Sequence, residues 1–345
     1  MSKYEHCFGN CEAKLHMYPV YYDAARAALG GPTSKPLLSG GVRMMSQEQV
    51  VEKMTGEELV SLARALKIPL TARTIRREWL IDDIRKAIQQ RTTEPYRLHS
   101  PAIRLSEVEK RFGKKIAVKK LELVVEPGEI VGLVGPNGAG KTTTLRMLTG
   151  IISPSRGKVE IDGYDMATKS LKAKQRIGYI PERPTCYPSL RVREYLTFTA
   201  RVYGVPRPTA LLRMKEYVGL FQLGPLLNSY IGTLSKGNLQ RTLLAGIFVR
   251  EPPFILALDE PIYGLDPRGA WILKGLLKKL KSEGSSAIIS THTLEVAQGL
   301  CDRFVVMNEG EVVGLGTLDE LLKNHPGASA LEEVFLELTG GIPKE

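Results

Sequence analysis

Gly135-Pro136-Asn137-Gly138-Ala139-Gly140-Lys141-Thr142 is the stretch on which the fold turns. It fits G-x-x-x-x-G-K-[ST], and the context that this pattern requires is present on both sides. An apolar run, Ile130 to Val134, reads as a buried strand entering it, and Thr143 to Leu148 reads as a helix leaving it. Glycine lets successive backbone N–H groups turn inward around phosphate oxygens where a β-carbon would clash. The helix start adds partial positive charge. Lys141 is placed to reach the β- and γ-phosphates of a nucleotide, and the Thr142 hydroxyl to ligate Mg²⁺. A strand–loop–helix unit of this kind belongs to an α/β fold.

A second signal lies downstream. Phe254-Ile255-Leu256-Ala257-Leu258-Asp259-Glu260 is an apolar strand ending in two carboxylates. Unpaired carboxylates are costly to desolvate, and the carboxyl edge of a parallel sheet is where α/β proteins bind ligands. Asp259 is expected to hold Mg²⁺ through water and Glu260 to polarise an attacking water. From Pro101 to about Val313, β-rich runs alternate with helical stretches, as in a parallel or mixed sheet flanked by helices. No internal repeat is visible, so a single such domain is expected.

Composition sets outer bounds. The 345 residues allow two domains or one α/β domain with an extension, and 43% hydrophobic with 25% charged residues is ordinary for a globular protein. No run approaches the roughly 18 apolar residues of a membrane-spanning helix. Met1 to Asn10 is polar and does not resemble a signal peptide. The four cysteines form no disulfide framework, which points to a reducing compartment, and Cys186 and Cys301 have no partner signal. The net charge of +11 is spread along the chain.

Further segments resemble those of the ABC ATPases in their family order. Leu234-Ser235-Lys236-Gly237-Asn238-Leu239-Gln240 is similar to the signature LSGGQ. Gly264-Leu265-Asp266-Pro267 resembles the D-loop, and Ser290-Thr291-His292 the switch histidine. Ile177-Gly178-Tyr179-Ile180-Pro181-Glu182 occupies the Q-loop place, and Phe112 sits where the family stacks an aromatic on adenine. Glu182 in place of glutamine, and Ser-Lys-Gly-Asn in the signature, resemble the ABC-2-type exporter ATPases, as does the tail 330–340. The resemblance implies a P-loop NTPase domain with a RecA-like core, an antiparallel β subdomain and a helical signature subdomain. It also implies an ATPase using ATP and Mg²⁺. The nucleotide would be held by Phe112, by Gly135 to Thr142 with Thr143, by Asp266, and, from the other protomer of a head-to-tail dimer, by Ser235 and Gly237. Mg²⁺ would be held by Thr142, Glu182 and Asp259, with Glu260 and His292 catalytic. The implied partners are a second ATPase subunit, as a homo- or heterodimer, and a membrane-spanning permease met by the span from Glu182 to Tyr195. The implied location is cytoplasmic, peripheral on the inner face of the cell membrane.

The expected organisation is an N-terminal extension over 1–54, a small helical module over 55–91, a linker over 92–101, the ATPase domain over 102–318 and a helical tail over 319–345. Asp23 to Leu29 could form a short helix. His6, Cys7, Cys11 and His16 could hold Zn²⁺, the alternative being a mobile terminus. In the module, Thr55 and Glu58 have capping-box spacing. Leu59, Leu62, Ala63 and Leu66 follow on one helical face, and Leu80, Ile81, Ile84 and Ile88 on another. This unit resembles SAP and Rho-N-terminal-like modules. It reads as an appendage, because nothing apolar in 92–101 ties it to the rest.

Arg73, Arg76, Arg77, Arg85, Lys86 and Arg91 raise the competing reading, a soluble ABC ATPase acting on nucleic acid or ribosomes. If all six contacted phosphates, affinity would fall with a log–log salt slope of about −5. Glu78, Asp82 and Asp83 interleave with them and partly neutralise the helix, which argues against nucleic acid as a partner. Fluorescence titration with single- and double-stranded oligonucleotides should show only weak, sequence-independent binding. Submicromolar binding at 150 mM salt, coupled to faster ATP hydrolysis, would favour the competing reading instead.

Overall fold

The computed structural model describes residues 47–68, 70, 76–89, 97–250 and 254–340. The expected helix at Asp23–Leu29 and the His6, Cys7, Cys11, His16 set lie outside the described residues. In chain order the helices are α1 (Gln47–Glu52), α2 (Gly56–Leu66), α3 (Arg77–Gln89), α4 (Lys141–Leu148), α5 (Ser170–Arg176), α6 (Val192–Val202), α7 (Arg207–Leu220), α8 (Lys236–Phe248), α9 (Pro267–Ser282), α10 (Leu294–Gln298), α11 (Leu318–Asn324) and α12 (Leu331–Thr339). The strands are β1 (Ile103–Phe112), β2 (Lys115–Val125), β3 (Ile130–Val134), β4 (Arg156–Ile161), β5 (Tyr164–Asp165), β6 (Ile177–Ile180), β7 (Ile255–Asp259), β8 (Ser286–Thr291), β9 (Arg303–Asn308) and β10 (Glu311–Gly316). They fall into two compact units. No helix among the described residues is long and apolar enough to cross a membrane.

The first unit, 97–186 with 254–340, contains every strand. Its larger sheet runs β10-β9-β3-β8-β7-β6. All its pairings are parallel except that of β10 with β9. The central strands β3, β7 and β8 are buried along their whole length. This is why they read as continuous apolar runs and not as alternating ones. The smaller sheet, β2-β1-β4-β5, is antiparallel. Val108 and Val118 of that sheet share a core with Val131 and Leu133 of β3 and Leu145 and Leu148 of α4. The tail is built into this unit too, Leu321, Leu331 and Val334 packing with Val134, Phe304 and Val306.

The second unit, 47–89 with 187–250, is helical. The Thr55–Glu58 capping box forms in both directions: the Thr55 N–H donates to Glu58 Oε2 at 2.5 Å and the Glu58 N–H to Thr55 Oγ1 at 3.3 Å. Leu59, Leu62, Ala63, Leu66, Leu80 and Ile84 are buried, with Ile81 and Ile88 packed against them. Two features were not expected. Helix α1 precedes the module, burying Val50 and Val51. The same core also takes in Leu211 and Leu212 of α7. Lys215, on that helix, donates to Glu58 Oε2 at 2.5 Å and to the Lys53 carbonyl at 3.2 Å. The module is therefore no appendage, because its apolar face is closed by a helix some 120 residues further along.

Leu59→Ala should destabilise the protein by about 2–5 kcal/mol in urea unfolding. Deleting residues 1–92 uncovers Leu211 and Leu212, so the truncated chain should melt lower and self-associate. An unchanged melting temperature and a monomeric sizing profile would show that this shared core contributes nothing.

Candidate functional site

The phosphate loop joins β3 to α4. A β-carbon on Gly135 would lie 2.4 Å from the Met307 carbonyl oxygen, and one on Gly140 would lie 2.7 Å from that of Ala117. Gly138 and Gly140 also carry φ of +86° and +109°, a region open to glycine at little cost. The loop is thus pressed between β2 and the β9–β10 turn, where the Gly310 N–H donates to the Ala139 carbonyl at 3.1 Å. Lys141 opens α4 and is 8% exposed. Its ammonium donates to the Gly135 and Pro136 carbonyls at 2.5 and 3.0 Å. Burial lowers its pKa; Glu260, Asp259 and Glu182, in that order, oppose this by favouring the charged form. Thr142 and Thr143 follow on α4, half-buried.

Asp259 ends β7 and pairs in register with Ser290 of β8. Its carboxylate is 1% exposed. One oxygen accepts from the Ser290 hydroxyl; the other, Oδ2, is buried with no hydrogen-bond partner among the described residues. An orphaned carboxylate oxygen in so dry a place is costly and fits a cation with its water shell. Among the described residues no three His, Cys, Asp or Glu converge on one point. An ion here would have to rely on one carboxylate, the Thr142 hydroxyl and the phosphates themselves. Glu182, just beyond β6, is exposed.

Glu260 leaves the strand at φ +49°. Its N–H donates to the Ser290 carbonyl at 3.0 Å. Its carboxylate meets His292 Nδ1 at 2.7 Å, with side-chain exposures of 12% for Glu260 and 56% for His292. Asp266 caps α9, accepting from the Gly269 N–H at 3.0 Å. Phe112 closes β1 beside a two-residue turn, 51% exposed, with the Lys110 ammonium 5.1 Å from its ring centroid.

The structure thus gathers Lys141, Asp259, Glu260 and His292 on the carboxyl side of one sheet. Ser235 and Gly237 belong to the helical unit. Ser235 caps α8 there, accepting from the Asn238 N–H at 3.3 Å, and Gly237 lies in that helix's first turn. Two roles escaped the sequence reading. Ser290 holds both acidic residues, and its cross-strand role follows only from strand register. Tyr263 stacks its edge on His292, with ring centroids 6.4 Å apart. Cys301 is a half-buried thiol, burial first and then the Asp302 charge pushing its pKa up to about 12.

The family described as "ABC transporter" matches residues 118–263. Nod factor export ATP-binding protein I of Burkholderia lata is 37% identical over 65% of this chain and 74% of its own length. The ABC-type transporter ATP-binding protein EcsA of Bacillus subtilis is 35% identical over 66% of this chain and 92% of its own. Among solved structures, an ATP-binding subunit of an ABC transporter superposes with a TM-score of 0.66 at 33% identity, covering 69% of this chain and 99% of that one. A dimeric, post-hydrolysis ATP-binding cassette bound to ADP and Pi gives 0.55 at 25% identity, over 62% and 98%.

Lys141→Ala should abolish tight ATP binding by calorimetry, since the buried ammonium at the phosphate loop is removed. Phe112→Ala should weaken ATP and GTP alike, because stacking does not read base edges. Unchanged ATP affinity in Lys141→Ala would contradict the phosphate-loop assignment.

Proposed function

The chain belongs to the ABC transporter family as one of its ATP-binding, ATP-hydrolysing subunits, and from that premise we propose that it drives an ABC-2-type exporter whose membrane-spanning part is a separate chain. The observation that carries the hydrolytic part of this reading is the Glu260–His292 contact of 2.7 Å beside a buried phosphate-loop lysine. The relatives support the exporter reading over an ATPase acting on nucleic acid. They include Nod factor export proteins, EcsA and the Bacillus subtilis linearmycin resistance protein LnrL.

The chemistry follows from the residues. On nucleotide binding, Lys141 exchanges the Gly135 and Pro136 carbonyls for β- and γ-phosphate oxygens. Successive N–H groups from Gly138 to Thr142 then donate to the phosphates, favoured by the start of α4. Phe112 offers its exposed face to the base. Thr142 and Asp259, with Glu182 nearby, would hold Mg²⁺, which would supply charge neutralisation at the phosphates. Glu260 accepts a hydrogen bond from the attacking water and draws off its proton. His292 orients Glu260 and meets the γ-phosphate.

Ser235 and Gly237 complete the nucleotide site of a second copy or a related subunit, and Asp266 contributes to nucleotide binding. ATP then holds the two protomers together and its hydrolysis releases them. The segment from Glu182 to Tyr195 passes this closure to a membrane-spanning permease, which places the protein at the cytoplasmic face of a membrane.

Glu260→Gln should bind ATP but hydrolyse it at least about tenfold more slowly, and should elute as a dimer in ATP on a sizing column. A membrane protein should co-purify with the full chain. Undiminished turnover in Glu260→Gln would remove that residue from its role.

A further inference from the structure

His292 is the most exposed member of its pair, and one hydrogen bond to Glu260 does not fix an imidazole ring. A side chain 56% open to solvent retains rotamer freedom unless a second contact restricts it. The turn after β7 supplies one. The Tyr263 N–H donates to the Glu260 carbonyl at 3.1 Å, and the Leu265 N–H to the Ile262 carbonyl at 3.1 Å. Gly264 turns through φ +86°, and Asp266 then caps α9. The backbone of Tyr263 is therefore pinned between the end of one strand and the start of a helix. Its ring meets the His292 ring edge-on, with centroids 6.4 Å apart and planes at 62°, within the geometry of a favourable aromatic pair.

Tyr263 is not placed for packing. It is 55% exposed, and a large aromatic left in solvent adds little to a core. Its ring lies instead against the exposed member of the Glu260–His292 pair. We propose that Tyr263 is a positioning residue for the hydrolytic step: it holds the His292 ring in the rotamer that contacts Glu260. It acts through His292. The inference rests on the assignment of Glu260 and His292 to the hydrolytic step.

The role needs the ring and not the hydroxyl. In steady-state ATPase assays on the full chain, Tyr263→Phe should keep at least half of the wild-type kcat. Tyr263→Ala and Tyr263→Leu should lower kcat about three- to tenfold while KM for ATP stays within about twofold, the pattern of a contact needed for turnover and not for binding. ATP binding by calorimetry checks that each variant is folded. In a His292→Ala background, Tyr263→Ala should produce no further loss, because the route through His292 has gone. A wild-type kcat in Tyr263→Ala, an equal loss in Tyr263→Phe, or an additive loss in the His292→Ala background would each overturn the inference. Should His292→Ala itself turn over at the wild-type rate, the assignment of His292 falls, and the role of Tyr263 falls with it.

Discussion

Ser290 ties the ends of two strands together, and the chemistry of the site depends on that tie. Strands β7 and β8 stay in register to their last residues, Asp259 facing Ser290. The Ser290 hydroxyl holds one oxygen of Asp259, while its carbonyl accepts from the Glu260 N–H. The first contact holds a buried carboxylate at the strand end. The second turns the chain at once, so that Glu260 leaves at φ +49°, a conformation costing a non-glycine residue about 1–2 kcal/mol. Two adjacent acids thereby point to different tasks. A register slip of one residue would reverse both faces of β8 and remove Ser290 from its partners.

The same region balances charge against burial. Lys141 is dry enough for desolvation to lower its pKa, and three carboxylates work against that shift. Its two carbonyl acceptors satisfy the ammonium without neutralising it. Such a cation is a stronger phosphate ligand than an exposed lysine, because its field is less screened. The glycines are required by the same crowding. With carbonyl oxygens 2.4 and 2.7 Å from the positions a β-carbon would take at Gly135 and Gly140, no side chain fits between the loop and its neighbours.

The parts of the site that could be read from the sequence were those whose physics is local. The phosphate loop declares itself through glycine spacing between a strand and a helix. The paired acids declare themselves by ending an apolar run. The Thr55–Glu58 box needs only four residues, and both of its bonds are present. Ser290 was visible only as part of a motif, because its partners lie 30 and 31 residues away and are found by strand order alone. Tyr263 looked like an ordinary turn residue for a similar reason, since its ring partner lies on another strand's exit. The tail reads as a separate helical end, yet Leu331 and Val334 are fully buried against the sheet.

Helix α7 shows how a non-local constraint can still leave a trace. A helix packed on one side carries a single apolar stripe, but here Ala210, Leu211, Leu212, Met214, Tyr217 and Val218 are all buried. Three consecutive buried residues span too wide an arc for one partner. Two partners divide them. Tyr217 meets Phe248 of α8, ring centroids 5.8 Å apart, while Leu211 and Leu212 enter the core of the α1–α3 module. The Lys215–Glu58 bond joins the same two elements beside that core. Removing one partner of so enclosed a pair would strand the other charge, so it fixes the register of docking more than it adds to stability. The apolar run at 210–212 was therefore a sign that the module docks on α7, and it could be recognised only once both faces of the helix were accounted for.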